Sequence, residues 1–288
     1  MNPTAPQPAP SGPPGGQNPQ DAKPEAASTS AVPVKLRLNN VTKTYSNGTQ
    51  IVEALQPVNI TIPESQFVVF FGPSGCGKST LLNMIAGFEE VTGGEIILDG
   101  QPVEGPHHDR LMLFQEHGLF PWLNVIDNVI YGLKRQFRFK PRERRERARQ
   151  YLQMVHLEEF EKASIHELSG GMKQRVALAR ALAPDPKILL VDEPFPALDA
   201  LTRTKLYGDI QEIFLRTKKT IILVTHDPRE AVCLGDRVLV FSGRPGKVTA
   251  DIAIDLPRSR DINDPLVAEC AATVMSHLEA TANESPPK

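Results

Sequence analysis

Cysteine is scarce in these 288 residues: Cys76, Cys233 and Cys270 are the only three. Their odd number and their spacing suit neither a disulfide framework nor a metal site, and Cys76 sits inside a glycine-rich loop where a disulfide would obstruct access. A reducing, cytosolic compartment is expected. Long apolar runs are missing too. Stretches such as residues 67–71 and 188–191 fall well short of the roughly 18 residues that a membrane-crossing helix needs, so the chain is not expected to cross a membrane by itself. Neither sign of charge is in excess: 32 basic against 34 acidic side chains leave −2. That balance excludes a global field directed at nucleic acid or an anionic membrane surface, and partner choice must come from local features. The N-terminus lacks the charged-then-apolar pattern of a secretory signal, and there is no internal repeat.

What is present is enough apolar material, 40%, to bury a sizeable core as one large domain or two subdomains. Nine of the 26 prolines fall within the first 33 residues, among Ala, Gln, Gly and Ser. Such a composition cannot offset the entropy of ordering, so residues 1–33 are expected to form a disordered tail. Residues 35–41, 51–54 and 58–62 alternate or carry β-branched side chains between turn signals, as a small antiparallel sheet would. Strands continue at 95–98 and 111–114. From 125 to about 183 the pattern turns helical, including 142–155 with Ala148, Leu152 and Val155 on one face. Strands return at 188–191, 221–224 and 238–241, separated by helices at about 201–215 and 229–234. That alternation predicts a mainly parallel α/β sheet. A last helix is expected at 265–280. The Arg142–Arg149 run of alternating charge reads as a solvated helix face with i,i+3 and i,i+4 pairs, or as a contact for a partner subunit or phospholipid.

The chemistry begins at Gly72-Pro73-Ser74-Gly75-Cys76-Gly77-Lys78-Ser79-Thr80, directly after the apolar run 67–71. A strand, a glycine loop and a helix start in that order make a phosphate-binding loop: backbone N–H groups curl around phosphates, Lys78 reaches the β and γ oxygens, and Ser79 ligates Mg²⁺. The helix at 79–86 adds its positive N-terminal end. A bound nucleoside triphosphate is expected. Residues 188–193 form an apolar strand ending in Asp192 and Glu193. Beside a phosphate loop, Asp192 is placed to hold the metal, and Glu193 to orient or deprotonate the attacking water. Leu168-Ser169-Gly170-Gly171, followed by Gln174-Arg175, is a second glycine-rich helix opening and a second anion-binding terminus.

Ser169-Gly170-Gly171 followed by Gln174-Arg175, shortly before 189–194, resembles the signature of ATP-binding cassette (ABC) ATPases, and the match extends over about residues 36–256. The resemblance implies a P-loop NTPase of ABC type: a mixed central sheet, a small antiparallel β subdomain and a helical insertion at about 116–177. The ATPase domain would span 34–262, leaving 263–288 as C-terminal helix and tail. It also implies roles. Tyr45 would stack on adenine, and Gln115 would touch Mg²⁺ and the water and report to a membrane subunit. Asp199 would link the two sites of a dimer, and His226 would contact the γ-phosphate. In that family ATP on residues 72–80 of one subunit is covered by residues 169–171 of another. A homodimer, or a pair with a similar ATPase, would therefore hydrolyse ATP with Mg²⁺.

Phe114 through Leu123, Ala197 through Arg203, Ser242-Gly243-Arg244-Pro245-Gly246 and Asp255 through Arg258 narrow the resemblance to the nitrate/sulfonate/taurine branch of import ATPases. That implies a peripheral subunit on the cytoplasmic face of the plasma membrane, beneath a separate permease fed by an external binding protein, with no nucleic-acid partner. Phe120, Pro121 and Trp122 either lie near the permease contact or pack on their own helix. Two positions depart from the family. Pro196 replaces a Gly or Ser, removing an N–H and fixing φ, and Glu64-Ser65-Gln66 replaces a Gly-Glu turn, a change expected to be harmless. The rival readings are a soluble ABC ATPase acting on nucleic acid, which would call for a coiled-coil insertion or two cassettes, and a small-molecule kinase, which would have no use for residues 168–171.

Overall fold

In the computed structural model the chain divides into Met1–Val32 and Pro33–Lys288. Besides Met1, the structure describes residues 33–114, 118–134, 139–194 and 200–283. The tail expected over 1–33 lies almost wholly outside these. The strands and helices, in chain order, are β1 (Val34–Ser46), β2 (Ile51–Pro63), β3 (Phe67–Phe71), α1 (Lys78–Ala86), β4 (Gly93–Leu98), β5 (Gln101–Pro102), β6 (Arg110–Leu113), α2 (Val125–Leu133), α3 (Pro141–Met154), α4 (Gly170–Leu182), β7 (Ile188–Asp192), α5 (Ala200–Thr217), β8 (Thr220–Thr225), α6 (Pro228–Leu234), β9 (Arg237–Ser242), β10 (Lys247–Ala253) and α7 (Pro265–Asn283).

Two sheets result. One is antiparallel, in the order β2-β1-β4-β5; the other runs β10-β9-β3-β8-β7-β6. Within the second, β9, β3, β8, β7 and β6 are parallel and β10 pairs antiparallel at the edge. β3 reads Phe-Val-Val-Phe-Phe without a polar residue because both of its faces are covered. Its side chains alternate. Phe67, Val69 and Phe71 enter a core shared with α2 to α7, while Val68 and Phe70 enter a second core with α1 and the antiparallel sheet. The same alternation divides Ile188 and Leu190 from Leu189 and Val191, and Ile222 and Val224 from Ile221 and Leu223.

The helix bounds follow local chemistry. Asn124 caps α2, its side chain accepting from the Asp127 N–H at 2.8 Å, and Asp227 caps α6, accepting from the Arg229 N–H at 2.8 Å with Pro228 in the first turn. Two expectations change. The strands at 51–54 and 58–62 are one strand, β2, which tolerates Pro57 because it is an edge strand paired with β1 and otherwise bridged only from Leu55 to Gly246 among the described residues; shifts in register run along its pairing with β1. The edge strand β10, half-exposed and weakly patterned, was not expected at all. Ser65 adopts φ 59, the conformation a glycine would take without strain; its hydroxyl donates to the Lys218 carbonyl at 2.7 Å and its N–H to Thr220 Oγ1 at 3.0 Å.

Candidate functional site

Strand register builds the site. Phe71 at the end of β3 lies opposite Thr225 at the end of β8, and Val224 lies opposite Asp192 at the end of β7. The loop after β3, the 225–227 turn and the Asp192–Glu193 pair therefore leave the sheet together at its C-terminal edge, where ligands of open α/β sheets bind.

The loop Gly72 to Gly77 closes on itself around Lys78. Lys78 is buried, and its ammonium donates to the carbonyls of Gly72 and Pro73 at 2.8 Å each, with Cys76 Sγ at 3.7 Å. Gly77 starts α1 at φ 89 and supplies no side-chain cap. A Cβ there would press on Leu55, so only glycine fits. The first N–H groups of α1 are thus left to an anion. A cavity of about 480 Å³ opens over this loop, lined among others by Tyr45, Gly75, Lys78, Ser79, Thr80 and Glu193. Tyr45, 41% exposed, lines one side of it, with the Lys43 ammonium 4.9 Å from its ring centroid.

Ser79 Oγ donates to Asp192 Oδ1 at 2.9 Å. Burial pushes the Asp192 carboxyl up from its ordinary value, with the Ser79 bond pulling the other way. These are hard oxygen donors. Among the described residues no group of three or more His, Cys, Asp or Glu side chains could cage a metal. That donor set fits Mg²⁺, which keeps most of its water and phosphate ligands and takes only one or two from protein.

Glu193 adopts φ 39, uncommon for a residue with a Cβ, and its N–H donates to the Val224 carbonyl at 3.1 Å. Its carboxylate lies 3.4 Å from His226 Nδ1. Behind this pair lies a cavity of about 180 Å³ lined by Glu193, Arg203, Tyr207, Thr225, His226, Asp227 and Glu230. Glu230 was given no part by the sequence. It is buried, accepts from Thr225 Oγ1 at 2.5 Å, leaves Oε1 without a partner, and is pushed up to about 8, burial being the main cause.

Ser169 caps α4, accepting from the Met172 N–H at 3.3 Å, and stands exposed with Gly170 in the first turn. Neither these residues nor Gly171 line the phosphate-loop cavity of their own chain. Gln115, Pro196 and Asp199 fall outside the described residues. Arg244 and Pro245, quoted above only as part of a resemblance, do line that cavity.

Residues 55–196 match the ABC transporter family. An uncharacterised ABC transporter ATP-binding protein of Methanocaldococcus jannaschii is 47% identical over 79% of this chain and 85% of its own length. An aliphatic sulfonates import ATP-binding protein of Bacillus cereus is 42% identical over 84% and 95%, and a taurine import ATP-binding protein of Rhizobium johnstonii is 52% identical over 72% and 79%. Among solved structures, a dimeric post-hydrolysis state of an ATP-binding cassette bound to ADP and Pi superposes with TM-score 0.67 at 37% identity, covering 77% of this chain and all of that one. The chain belongs to the ABC transporter family, as one of its ATP-hydrolysing, ATP-binding subunits.

Proposed function

We propose that this subunit works in pairs at the cytoplasmic face of the membrane, driving uptake of a small anion such as nitrate, a sulfonate or taurine through a separate permease. One observation carries the proposal: Lys78, Ser79, Asp192, Glu193 and His226 converge where three adjacent parallel strands end, with Ser79 already bonded to Asp192. The sulfonate and taurine importers among the relatives support the substrate class.

ATP lies on the residue 72–80 loop with its base against Tyr45. Lys78 exchanges the loop carbonyls for phosphate oxygens, and the open N–H groups of α1 take the rest. Ser79 and Asp192, with Gln115, would hold Mg²⁺, and the chemistry supplied by the bound ion would be to offset charge building on the phosphate oxygens. Glu193 accepts a proton from the water that attacks the γ-phosphorus as the bond to the β-phosphate oxygen breaks. His226 faces that carboxylate and donates to the γ-phosphate. Donors for its outer side come from Ser169, Gly170 and Gly171 of a second copy, since those of this chain do not line its own phosphate-loop cavity, and Asp199 links the two sites. Loss of the γ-phosphate removes the negative charge that holds two helix termini together, and the pair reopens.

The permease contact falls on the apolar cavity of about 340 Å³ between β6, α2 and α4, lined by Leu113, Phe114, Phe120, Tyr131 and Ala177. Phe120 packs on Trp122 and Tyr131, with ring centroids 5.4 and 4.3 Å away, while Trp122 is 76% exposed. Phe120 thus packs on its own helix and Trp122 remains for the partner. Among the described residues no helix is long and apolar enough to cross a membrane.

Light scattering of Glu193→Gln with Mg·ATP tests the proposal. A dimer trapped in the variant but not in wild type supports it; a variant that hydrolyses ATP at the wild-type rate overturns it.

A further inference from the structure

The segment Ser242 to Gly246 joins β9 to β10 and packs onto the phosphate loop. The Gly246 N–H donates to the Ala54 carbonyl at 2.9 Å, and the Gln56 N–H donates to the Gly246 carbonyl at 2.9 Å. Gly246 also abuts the Cys76 carbonyl so closely that a side chain would not fit. This clamp fixes where Arg244 emerges. Its guanidinium lies against Gly75, in the space a Cβ there would need, and donates to the Ser74 carbonyl at 3.1 Å. Gly75 adopts φ 78, a conformation glycine takes without strain, and its missing side chain leaves the room that the guanidinium fills.

Ser74 takes one of the five N–H donors of Arg244. Glu53 and Glu193 line the same cavity, yet among the described residues no carboxylate lies within ion-pair distance of Arg244. An exposed arginine held over a phosphate loop, uncompensated by an acid and facing the same cavity as Lys78 and Ser79, is arranged to meet a phosphate oxygen.

We propose that Arg244 is a second cationic contact, beside Lys78, for the phosphate chain of the bound nucleotide. The inference rests on the ATP site proposed above. It assigns a function to the 242–246 segment and explains why a loop so distant in sequence is tied to residues 54–56 and 74–76. Because the guanidinium is solvent-exposed, water screens part of its effect.

The test is displacement of a fluorescent ATP analogue from the full chain, without Mg²⁺ so that no turnover occurs, by ATP, inorganic tripolyphosphate and adenosine. Wild type, Arg244→Ala, Arg244→Lys and Lys78→Ala are compared, with thermal midpoints measured in parallel. The expected result for Arg244→Ala is about a tenfold loss for ATP and tripolyphosphate, the size of one screened charge-assisted hydrogen bond. Adenosine affinity and midpoint should stay at wild-type values, and Arg244→Lys should recover part of the loss. Unchanged ATP affinity in Arg244→Ala while Lys78→Ala loses it overturns the inference, as does an equal loss for adenosine with a lowered midpoint, which marks a purely structural role. Unchanged affinity in Lys78→Ala overturns the ATP site itself. Should Arg244→Ala fail to fold, Arg244→Lys and Arg244→Gln are read by the same criteria.

Discussion

Ser79 and Asp192, 113 positions apart in sequence, share a hydrogen bond of 2.9 Å. The bond exists because β3 and β7 flank β8 in one parallel sheet and end level with each other. Both partners are oxygen ligands suited to Mg²⁺. Asp192→Asn keeps the shape of the site and removes the negative charge. The Mg²⁺ concentration for half-maximal ATP hydrolysis should rise at least tenfold, while ATP affinity without Mg²⁺ changes little. An unchanged Mg²⁺ requirement would mean that Asp192 does not serve the ion.

Glu193 and His226 should separate kinetically. Glu193→Gln removes the acceptor of the water proton and should lower kcat by about 10²- to 10⁴-fold, a typical general-base contribution, with ATP affinity intact. His226→Ala leaves that acceptor and removes the group 3.4 Å from it, so its loss should appear in kcat without the tight nucleotide-trapped pair of Glu193→Gln. Steady-state hydrolysis and light scattering on both variants check this.

The carboxyl of Glu230 ties stability to pH. Thr225, Asp227, Arg203, Glu193 and Tyr207 face it, and burial lifts it from 4.5 to about 8. Between those values the unfolded chain releases a proton that the folded chain retains. Stability is therefore fully present below about pH 4.5 and is lost as pH rises toward about 8, with a limiting slope of about 1.4 kcal/mol per pH unit. Glu230→Gln should flatten that slope and leave the variant more stable than wild type at pH 8 in urea unfolding. The same slope in both proteins would show that Glu230 is ionised when folded.

Asn128 holds the aromatic turn. Fully buried, its side chain accepts from the Phe120 N–H at 2.8 Å and donates to the carbonyls of Phe120, Leu123 and Asn124 at 3.0 to 3.2 Å. Asn128→Ala strands the Phe120 N–H and the Leu123 carbonyl, while the carbonyls of Phe120 and Asn124 keep backbone donors, and should cost about 2 to 4 kcal/mol, measured by denaturant unfolding. Lys218 is the opposite case. It closes α5 at φ 51, exposed, with its N–H on the Phe214 carbonyl. Lys218→Gly should stabilise the protein by about 0.5 to 1 kcal/mol.

What sequence reveals here is whatever chemistry packs into a few consecutive residues. The phosphate loop, the acid pair after an apolar strand and the helix opening at Ser169 are each local, and the expected strands and helices flank them. The parallel sheet was legible because Phe67 to Phe71 and Ile188 to Val191 are apolar on both faces. Residues that act across the fold were not. Glu230 looks like any acid in a first helical turn until α6 is buried over it. Arg244 lies 170 positions from its Ser74 partner, and only the register of β9 beside β3 brings them together. Arg260 gives no sequence sign that it would be buried, its N–H on Gln211 Oε1 at 2.8 Å and its guanidinium on the Val232 carbonyl at 2.6 Å. β10 escaped because an edge strand with half-exposed side chains carries little periodic contrast.

The central claim, that each ATP is hydrolysed between the phosphate loop of one copy and residues 169–171 of another, is tested most directly by mixing two inactive variants. Lys78→Ala disables the phosphate loop and Ser169→Arg the covering helix terminus. Each alone should show negligible hydrolysis. Mixed in equal amounts, they should regain activity of about a quarter of wild type, since half the pairs are mixed and each mixed pair has one complete site. A mixture as inactive as its components, or a Ser169→Arg variant active alone, would contradict the claim.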